Sequence, residues 1–424
     1  MFFIMSQVMP VKNKSYSQLI FFRIIVGSVF IYSGFTKGID PLGSAYKFAD
    51  YFVAFNMEFL EPLALPLSVV LSSAEMLLGV ALLAGVQMVL ASWAVLFFMS
   101  FFTILTLFIA LTDPVADCGC FGDAIILSNW ETFWKNIVLL IFVLFIFFKR
   151  KNFKPFFTKP IMEWSAVVGF LIIILGISTW SYRNLPVIDY RPYSIGANIS
   201  EKMNVPPDAL ADEYEITLYY EKGGELKAFS VDSLPDPEWV WVKTESTLIS
   251  RGYEPPITNF YIESVDEGID FTYDILSDPG YTFLLVAYNL EKSYENTTAR
   301  INQLAKWSER HGIRFICLTA SPIANINNFI ERTGATFDFY HADEITLKTI
   351  IRSNPGLVLL NNGTILGKWH YRNIPHTDEL KGNLLSYSIE LQQTLKSDLI
   401  IYGYLLALFL ILALLKLLRQ VADK

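Results

Sequence analysis

The sequence predicts an α-helical membrane bundle joined to an α/β soluble domain, and three observations carry that reading. The chain is 53% hydrophobic and only 17% charged, where soluble domains carry about 25% charged residues, and its mean hydropathy is +0.39. Six runs approach the length of about 20 apolar residues that a bilayer-crossing helix needs. Between the fifth and sixth of them lies a long polar stretch in which strand and helix signals alternate. The net charge of −8 lacks the electrostatic footprint of a nucleic-acid binder, and three cysteines exclude a disulfide-stapled scaffold.

The six candidate spans are Gln18–Phe35, Leu67–Val86, Met88–Leu111, Phe133–Phe148, Trp164–Trp180 and Leu399–Leu418. Lys12 and Lys14 precede the first, as in a secretory signal. Lys37, Pro41 and Gly43 follow it instead of a small-residue cleavage site, so it reads as a retained helix. The few residues around Gly85–Gln87 predict a tight antiparallel hairpin of the second and third spans.

Basic residues resist translocation. With six spans, one side receives Lys12 and Lys14, the group Lys149, Arg150, Lys151, Lys154 and Lys159, and the group Lys416, Arg419 and Lys424. That side is assigned to the cytoplasm, with both termini. The other side takes the Lys37–Pro66 loop, the Asp113–Glu131 loop and the stretch from Ser181 to Asp398. Residues 182–395 hold 29 acidic and 18 basic side chains, a net of −11, which leaves +3 for the rest. Solubility explains that acidity, with a basic partner as the alternative.

An ionisable side chain inside a span is costly and is normally paired or turned to a cavity. Arg23 in the first span and Glu75 in the second are therefore candidates for each other, as a packing pair or as a polar contact for a quinone or substrate. Gly27, Ser33 and Gly34 give another helix room to approach. The loop from Asp113 to Asp123 contains Cys118-Gly119-Cys120. A bridge across that spacing closes a small strained ring that is easily reduced, which suits thiol exchange. A glycine-rich packing turn and metal binding are the rival readings. Two thiolates are too few for a structural zinc site, and His311, His341, His370 and His376 are distant and read as surface or ordinary polar positions, so no metal is expected.

Arg23, Gly27, Ser33-Gly34 and Lys37 on one helix, Glu75 and Gly79 on another, and the run Asp117-Cys118-Gly119-Cys120-Phe121-Gly122 together resemble the MauE/DoxX family of four-helix membrane proteins, over roughly residues 15–150. MauE is associated with maturation of methylamine dehydrogenase alongside a thioredoxin-like partner, and DoxX-type members with membrane sulfur and quinone redox. The resemblance implies that Cys118 and Cys120 are a redox pair, with quinone as the candidate cofactor.

Residues 182–269 read as a β-rich lead-in interrupted by prolines such as Pro206-Pro207. From Gly280 the order is clearer. Tyr281–Tyr288 and Ile313–Thr319 are continuous apolar runs fit for buried strands. Asn296 is expected to cap a helix to His311, a second helix covers Ile326–Arg332, and Asp343 is expected to cap a third over Ile345–Arg352. Leu357–Leu360 and Thr364–Trp369 flank Asn361-Asn362-Gly363, a hairpin signal. This βαβα(α)ββ succession over residues 270–390 resembles a thioredoxin fold, which implies that Pro355 is its cis-proline. The Cys-x-x-Cys position of that fold is occupied by Asn289–Glu295, without a cysteine. Cys317 lies in a buried strand and packs as a small hydrophobe.

The expected organisation is a bundle over 1–150, a basic loop and fifth span over 151–181, the lead-in over 182–269, the thioredoxin-like domain over 270–390 and a last span over 396–418. The arrangement resembles DoxX-family membrane proteins of Bacteroidetes-type bacteria. It implies a multi-pass protein of the bacterial inner membrane with residues 182–395 in the periplasm. Two functions follow. One is a membrane redox or protein-maturation factor using Cys118 and Cys120 toward an extracytoplasmic client or redox partner. The other is a non-enzymatic scaffold or complex subunit whose redox-silent domain binds such a client. A transporter is disfavoured, because the spans show no inverted repeat and no paired broken helices.

Overall fold

In the computed structural model the described residues are 14–151, 160–380, 384 and 386–388. Helix α1 spans Lys14–Ile39 and α2 Pro41–Ala54; a 3₁₀ turn at Glu58–Leu63 leads into α3, Ala64–Ala84. Helices α4 (Met88–Thr112), α5 (Asn129–Phe148) and α6 (Pro160–Arg183) follow. Among the described residues, five segments are long and apolar enough to cross a bilayer: Ser17–Ile39, Glu58–Ala84, Met88–Thr112, Asn129–Phe148 and Ile161–Arg183. Their outward side chains, such as Val70, Phe97, Ile104, Leu111 and Ile172, are large, apolar and exposed, as a lipid environment requires. The chain thus has a multi-pass helical membrane part and a separate α/β part. The expected span at Leu399–Leu418, with Lys154 and Lys159, lies outside the described residues.

The segment 37–66 is not the open loop the sequence suggested but largely helical. Asp40 accepts a hydrogen bond from Gly43 N at 2.9 Å, and Pro41 fills the first turn of α2, so the N-cap chemistry starts a helix directly after α1. Between α3 and α4 only Gly85–Gln87 intervene, with Gly85 left-handed, and the hairpin is as tight as expected. Helices α1 and α3 touch backbone to backbone: a Cβ on Gly34 would lie 2.5 Å from Met76 N and 2.6 Å from Ser72 O. Small residues permit this approach, and dispersion between the helices rewards it in a solvent as apolar as themselves.

The second part begins with α7, Ile199–Met203, and an antiparallel sheet of β1 (Glu213–Lys222), β2 (Glu225–Ser230) and β3 (Val240–Ser250), ordered β2-β1-β3. Then come β4 (Glu263–Ser264), α8 (Thr272–Leu276), β5 (Tyr281–Val286), α9 (Thr298–Arg310), β6 (Arg314–Thr319), α10 (Ile323–Thr333), β7 (Asp338–His341), α11 (Glu344–Ile350), β8 (Gly356–Asn361) and β9 (Thr364–His370). Their sheet runs β4-β7-β6-β5-β8-β9, with β5, β6 and β7 parallel and β8 antiparallel to β5 and β9. Strand β5 is buried on both faces. Phe283 and Leu285 join α9 and α10 in one core; Leu284 and Val286 join α11, Ile199, Ile257 and Phe260 in the other. The lead-in therefore contributes side chains to the same core. Lys368 on β9 and Arg191 both bind Asp189 at 2.8 Å and fix it there.

Two details differ from the sequence reading. Strand β7 is unanticipated, being four half-exposed residues and too short for a periodic signal. Asn296 sits inside a 3₁₀ turn at Glu295–Thr297, so the boundary residue of α9 is Thr297, which makes no side-chain cap. Asp343 does cap α11, accepting from Thr346 N at 2.7 Å.

Candidate functional site

The loop between α4 and α5 is built by polar side chains that stand in for a helix. Asn129 at the start of α5 donates to Asp113 Oδ1 at 2.7 Å and to the Val115 carbonyl at 2.9 Å, and a capping box between Ser128 and Glu131 begins α5. Asp117 accepts from Gly119 N at 2.8 Å, and Gly122 N donates to Gly119 O at 3.1 Å. Gly119 and Gly122 have φ of +65° and +55°, which side-chain-bearing residues adopt at a cost. The turn brings the Sγ atoms of Cys118 and Cys120 to 3.4 Å, unbonded and half-buried.

Three bundle side chains anchor this turn. Lys47 Nζ pairs with Asp117 at 2.6 Å, Tyr51 Oη donates to the Cys118 carbonyl at 3.0 Å, and Ser33 Oγ donates to the Cys120 carbonyl at 2.7 Å. Ser33 also lies 2.9 Å from Glu75 Oε2, and Lys37 Nζ binds Glu75 Oε1 at 2.7 Å; all three side chains are buried. Glu75 thus has Lys37 as its counter-ion. The Arg23–Glu75 pairing suggested by opposite charge gives way to different partners: Arg23 donates to the carbonyls of Leu82 at 2.8 Å and Leu83 at 3.1 Å. Those groups belong to the last turn of α3, the negative end of its dipole, about two helical turns from Glu75.

A cavity of about 330 Å³ adjoins the thiols. Its walls are largely aromatic, including Phe48, Phe52, Phe98, Phe101 and Phe102, and Ser33, Lys37, Glu75, Lys135 and Asn136 supply the polar wall beside Cys118 and Cys120. Lys135 Nζ lies 4.5 Å from the ring centre of Phe121, next to Cys120. The Cys118 thiol is the largest influence on Cys120, favouring its thiolate by a hydrogen bond. Burial opposes this, and Lys135 and Lys37 reinforce it against Glu75. The Cys120 thiol is therefore held below the ordinary range and its neighbour Cys118 above it. The arrangement can present one nucleophilic thiolate with a second thiol in contact.

The α/β part is seated on this end of the bundle. Arg352, buried after α11, binds Asp40 Oδ2 at 2.9 Å and Asp123 Oδ2 at 2.7 Å. Tyr46 and Tyr288 bring their hydroxyls to 3.4 Å beneath Lys348, and Lys292 lies 3.8 Å from Glu61. The Asn354–Pro355 peptide is cis, and Asn354 O accepts from Tyr294 N at 3.1 Å, so Pro355 and the Asn289–Glu295 segment adjoin one another. Cys317 is fully buried in β6, and burial pushes its thiol up. His370, expected among surface or ordinary polar positions, is buried beside Arg372. Burial first, then that guanidinium, lowers it to about 4.

Sequence reasoning singled out Cys118, Cys120, Arg23, Glu75 and Pro355. Ser33 was expected only as a small packing residue and Lys37 only as a residue flanking the span, although an acid in one span asks for a base at similar depth in another. Lys47, Tyr51, Lys135, Asp123 and Arg352 gave no local signal, because their partners are distant in sequence. No curated protein sequence matches the chain. A domain of unknown function, DUF8463, matches residues 214–251, the strands β1 to β3. Residues 15–149, which hold four of the apolar helices and the Cys-Gly-Cys loop, match the family described as methylamine utilisation protein MauE, and this segment is what relates the chain to a known membrane family.

Proposed function

We propose that this is an accessory protein of a bacterial inner membrane that carries out dithiol–disulfide chemistry at Cys118 and Cys120 in the maturation of an extracytoplasmic client. The observation that carries the reading is the placing of two thiols 3.4 Å apart at a cavity edge where Cys120 is favoured as thiolate. Forming the Cys118–Cys120 bond releases two electrons and two protons. A quinone held against Phe98, Phe101 and Phe102 would supply the two-electron, two-proton acceptor that this step needs. The thiolate of a client dithiol then attacks the bridge, passes through a mixed disulfide and leaves as a client disulfide, returning two electrons and two protons to Cys118 and Cys120. The aromatic cavity suits a flat lipid-soluble ring, and half-exposed Phe101 gives its wall a lipid-facing element. Lys149, Arg150 and Lys151 follow α5 at the end opposite the thiols, which supports a periplasmic thiol loop.

Residues 270–390 act in this reading as a thioredoxin-like domain. The order β9-β8-β5-β6 with antiparallel β8 supports it. Without cysteines between Asn289 and Glu295, that domain holds or presents a client and leaves the chemistry to the membrane loop.

Alkylation trapping of the purified full chain tests the proposal. Dithiol reductant should expose two maleimide-reactive thiols, a soluble quinone analogue should remove both together, and Cys118→Ser or Cys120→Ser should end the cycling. Thiols that stay reduced through every oxidant overturn it. The lack of cysteine in residues 289–295 favours a second reading, a scaffold. In that case the Cys118→Ser, Cys120→Ser double variant supports client assembly like the unaltered chain.

A further inference from the structure

We propose that Arg352 is a positioning residue for the thiol pair, so that seating of the α/β domain on the bundle sets the geometry of the Cys118–Cys120 loop. The inference rests on the dithiol reading and assigns its regulation. Three anchors of the loop (Lys47 to Asp117, Tyr51 to the Cys118 carbonyl and Ser33 to the Cys120 carbonyl) come from the bundle and hold it up to Cys120. Beyond Cys120 the loop is held by buried Phe121, which packs against Tyr32 and lies under Lys135, and by Asp123, bound at 2.7 Å by Arg352 of the α/β domain. Gly122 N, one residue before Asp123, closes the turn on Gly119 O, so a displacement of Asp123 is passed to Cys120 through a two-residue lever.

Arg352 is suited to this work. Its side chain is 6% exposed, its Nη1 donates to Lys348 O at 2.7 Å, and its guanidinium lies over Tyr46 at 5.3 Å. A buried planar fork with a partner on each side fixes direction as well as distance. Its second carboxylate, Asp40, is the cap of α2, the helix that carries Tyr51 and Lys47. One guanidinium therefore ties both halves of the thiol loop's support to the domain above. A client or partner that lifts the domain releases Asp123, and the thiol loop relaxes.

The charged and titratable groups around Cys120 are Cys118 and Asp117 in the loop, Lys37 on α1, Tyr51 and Lys47 on α2, Glu75 on α3 and Lys135 on α5. Arg352 acts on this set through Asp123. The test is alkylation of the reduced full chain in detergent across pH, with Cys118 and Cys120 quantified separately by mass spectrometry. In the unaltered chain Cys120 should label ahead of Cys118. In Arg352→Gln the Cys120 midpoint should move up by about one unit, slowing labelling about tenfold at pH values well below the midpoint and about twofold at pH 7, and the preference for Cys120 should shrink. Arg352→Lys, which keeps the charge but loses the fork, should recover part of both effects.

Gly43→Ala is the second variant. Its Cβ would lie 2.4 Å from Asp40 Oδ2 and 2.6 Å from Arg352 Nη2, so it loosens the clasp with no change of charge. It should reproduce the loss of preference, and it carries the result alone should Arg352→Gln fail to fold. Folded Arg352→Gln or Gly43→Ala protein with unaltered midpoint and preference overturns the proposal. The quinone-cycling assay is read separately. Unaltered chain that fails to cycle while the midpoints shift removes the dithiol reading and leaves the positioning role standing.

Discussion

Lys37 and Glu75 form a buried ion pair inside the apolar bundle, joined by Ser33 to the carbonyl of Cys120. Breaking such a pair on one side leaves a charge in a medium that cannot solvate it, whereas replacing both charges by apolar groups of similar volume is often neutral. Glu75→Gln should therefore destabilise the protein by about 3–5 kcal/mol, while the Lys37→Met, Glu75→Leu double variant should recover most of the loss. Thermal unfolding of the detergent-solubilised variants measures both. The acid and its depth were readable from the sequence, since charge in a span is conspicuous. Its counter-ion was not, because opposite charge alone does not choose between Arg23 and Lys37. Arg23 is drawn instead to the carbonyls that end α3, a preference set by where that helix stops.

At the scale of elements, the bundle depends on how near α1 and α3 can come. A methyl group on Gly34 would meet backbone atoms of α3 at 2.5 Å, and backbone cannot rotate aside as a side chain can. Gly34→Ala should force the pair apart and cost about 1–3 kcal/mol, the usual range for overpacking, and it should weaken the Ser33–Glu75 contact one residue away. Detergent stability together with Cys120 labelling checks both parts. The glycines were visible as a pattern, and apolar runs located the five membrane helices with ends displaced by a few residues. Strand β7 and helix α2 were hidden for opposite reasons. The strand is too short to show a period, and the helix sits in a segment whose polar and proline residues resemble a loop until Asp40 is seen capping it.

For the whole molecule, the α/β part and the thiol loop lie at the same end of the bundle, while Lys149, Arg150 and Lys151 follow the far end of α5. In a cysteine-free background, Lys292→Cys should label with a membrane-impermeant maleimide in intact spheroplasts, and Lys151→Cys only after lysis. Labelling in the reverse order inverts the proposed orientation. The class of molecule is written in local pattern and composition: apolar runs long enough to cross a bilayer, basic residues gathered on alternate loops, an acidic α/β segment, and two cysteines held by one glycine. These are local or compositional properties, and short-range chemistry is sufficient to specify them. It takes the folded chain to show that Lys37 answers Glu75, that an aromatic cavity reaches the thiols, and that Arg352, 229 residues beyond Asp123, closes the loop from the other domain. Those contacts follow from the packing of helices and sheet as bodies. No periodicity along the chain encodes which distant charges that packing brings within 3 Å.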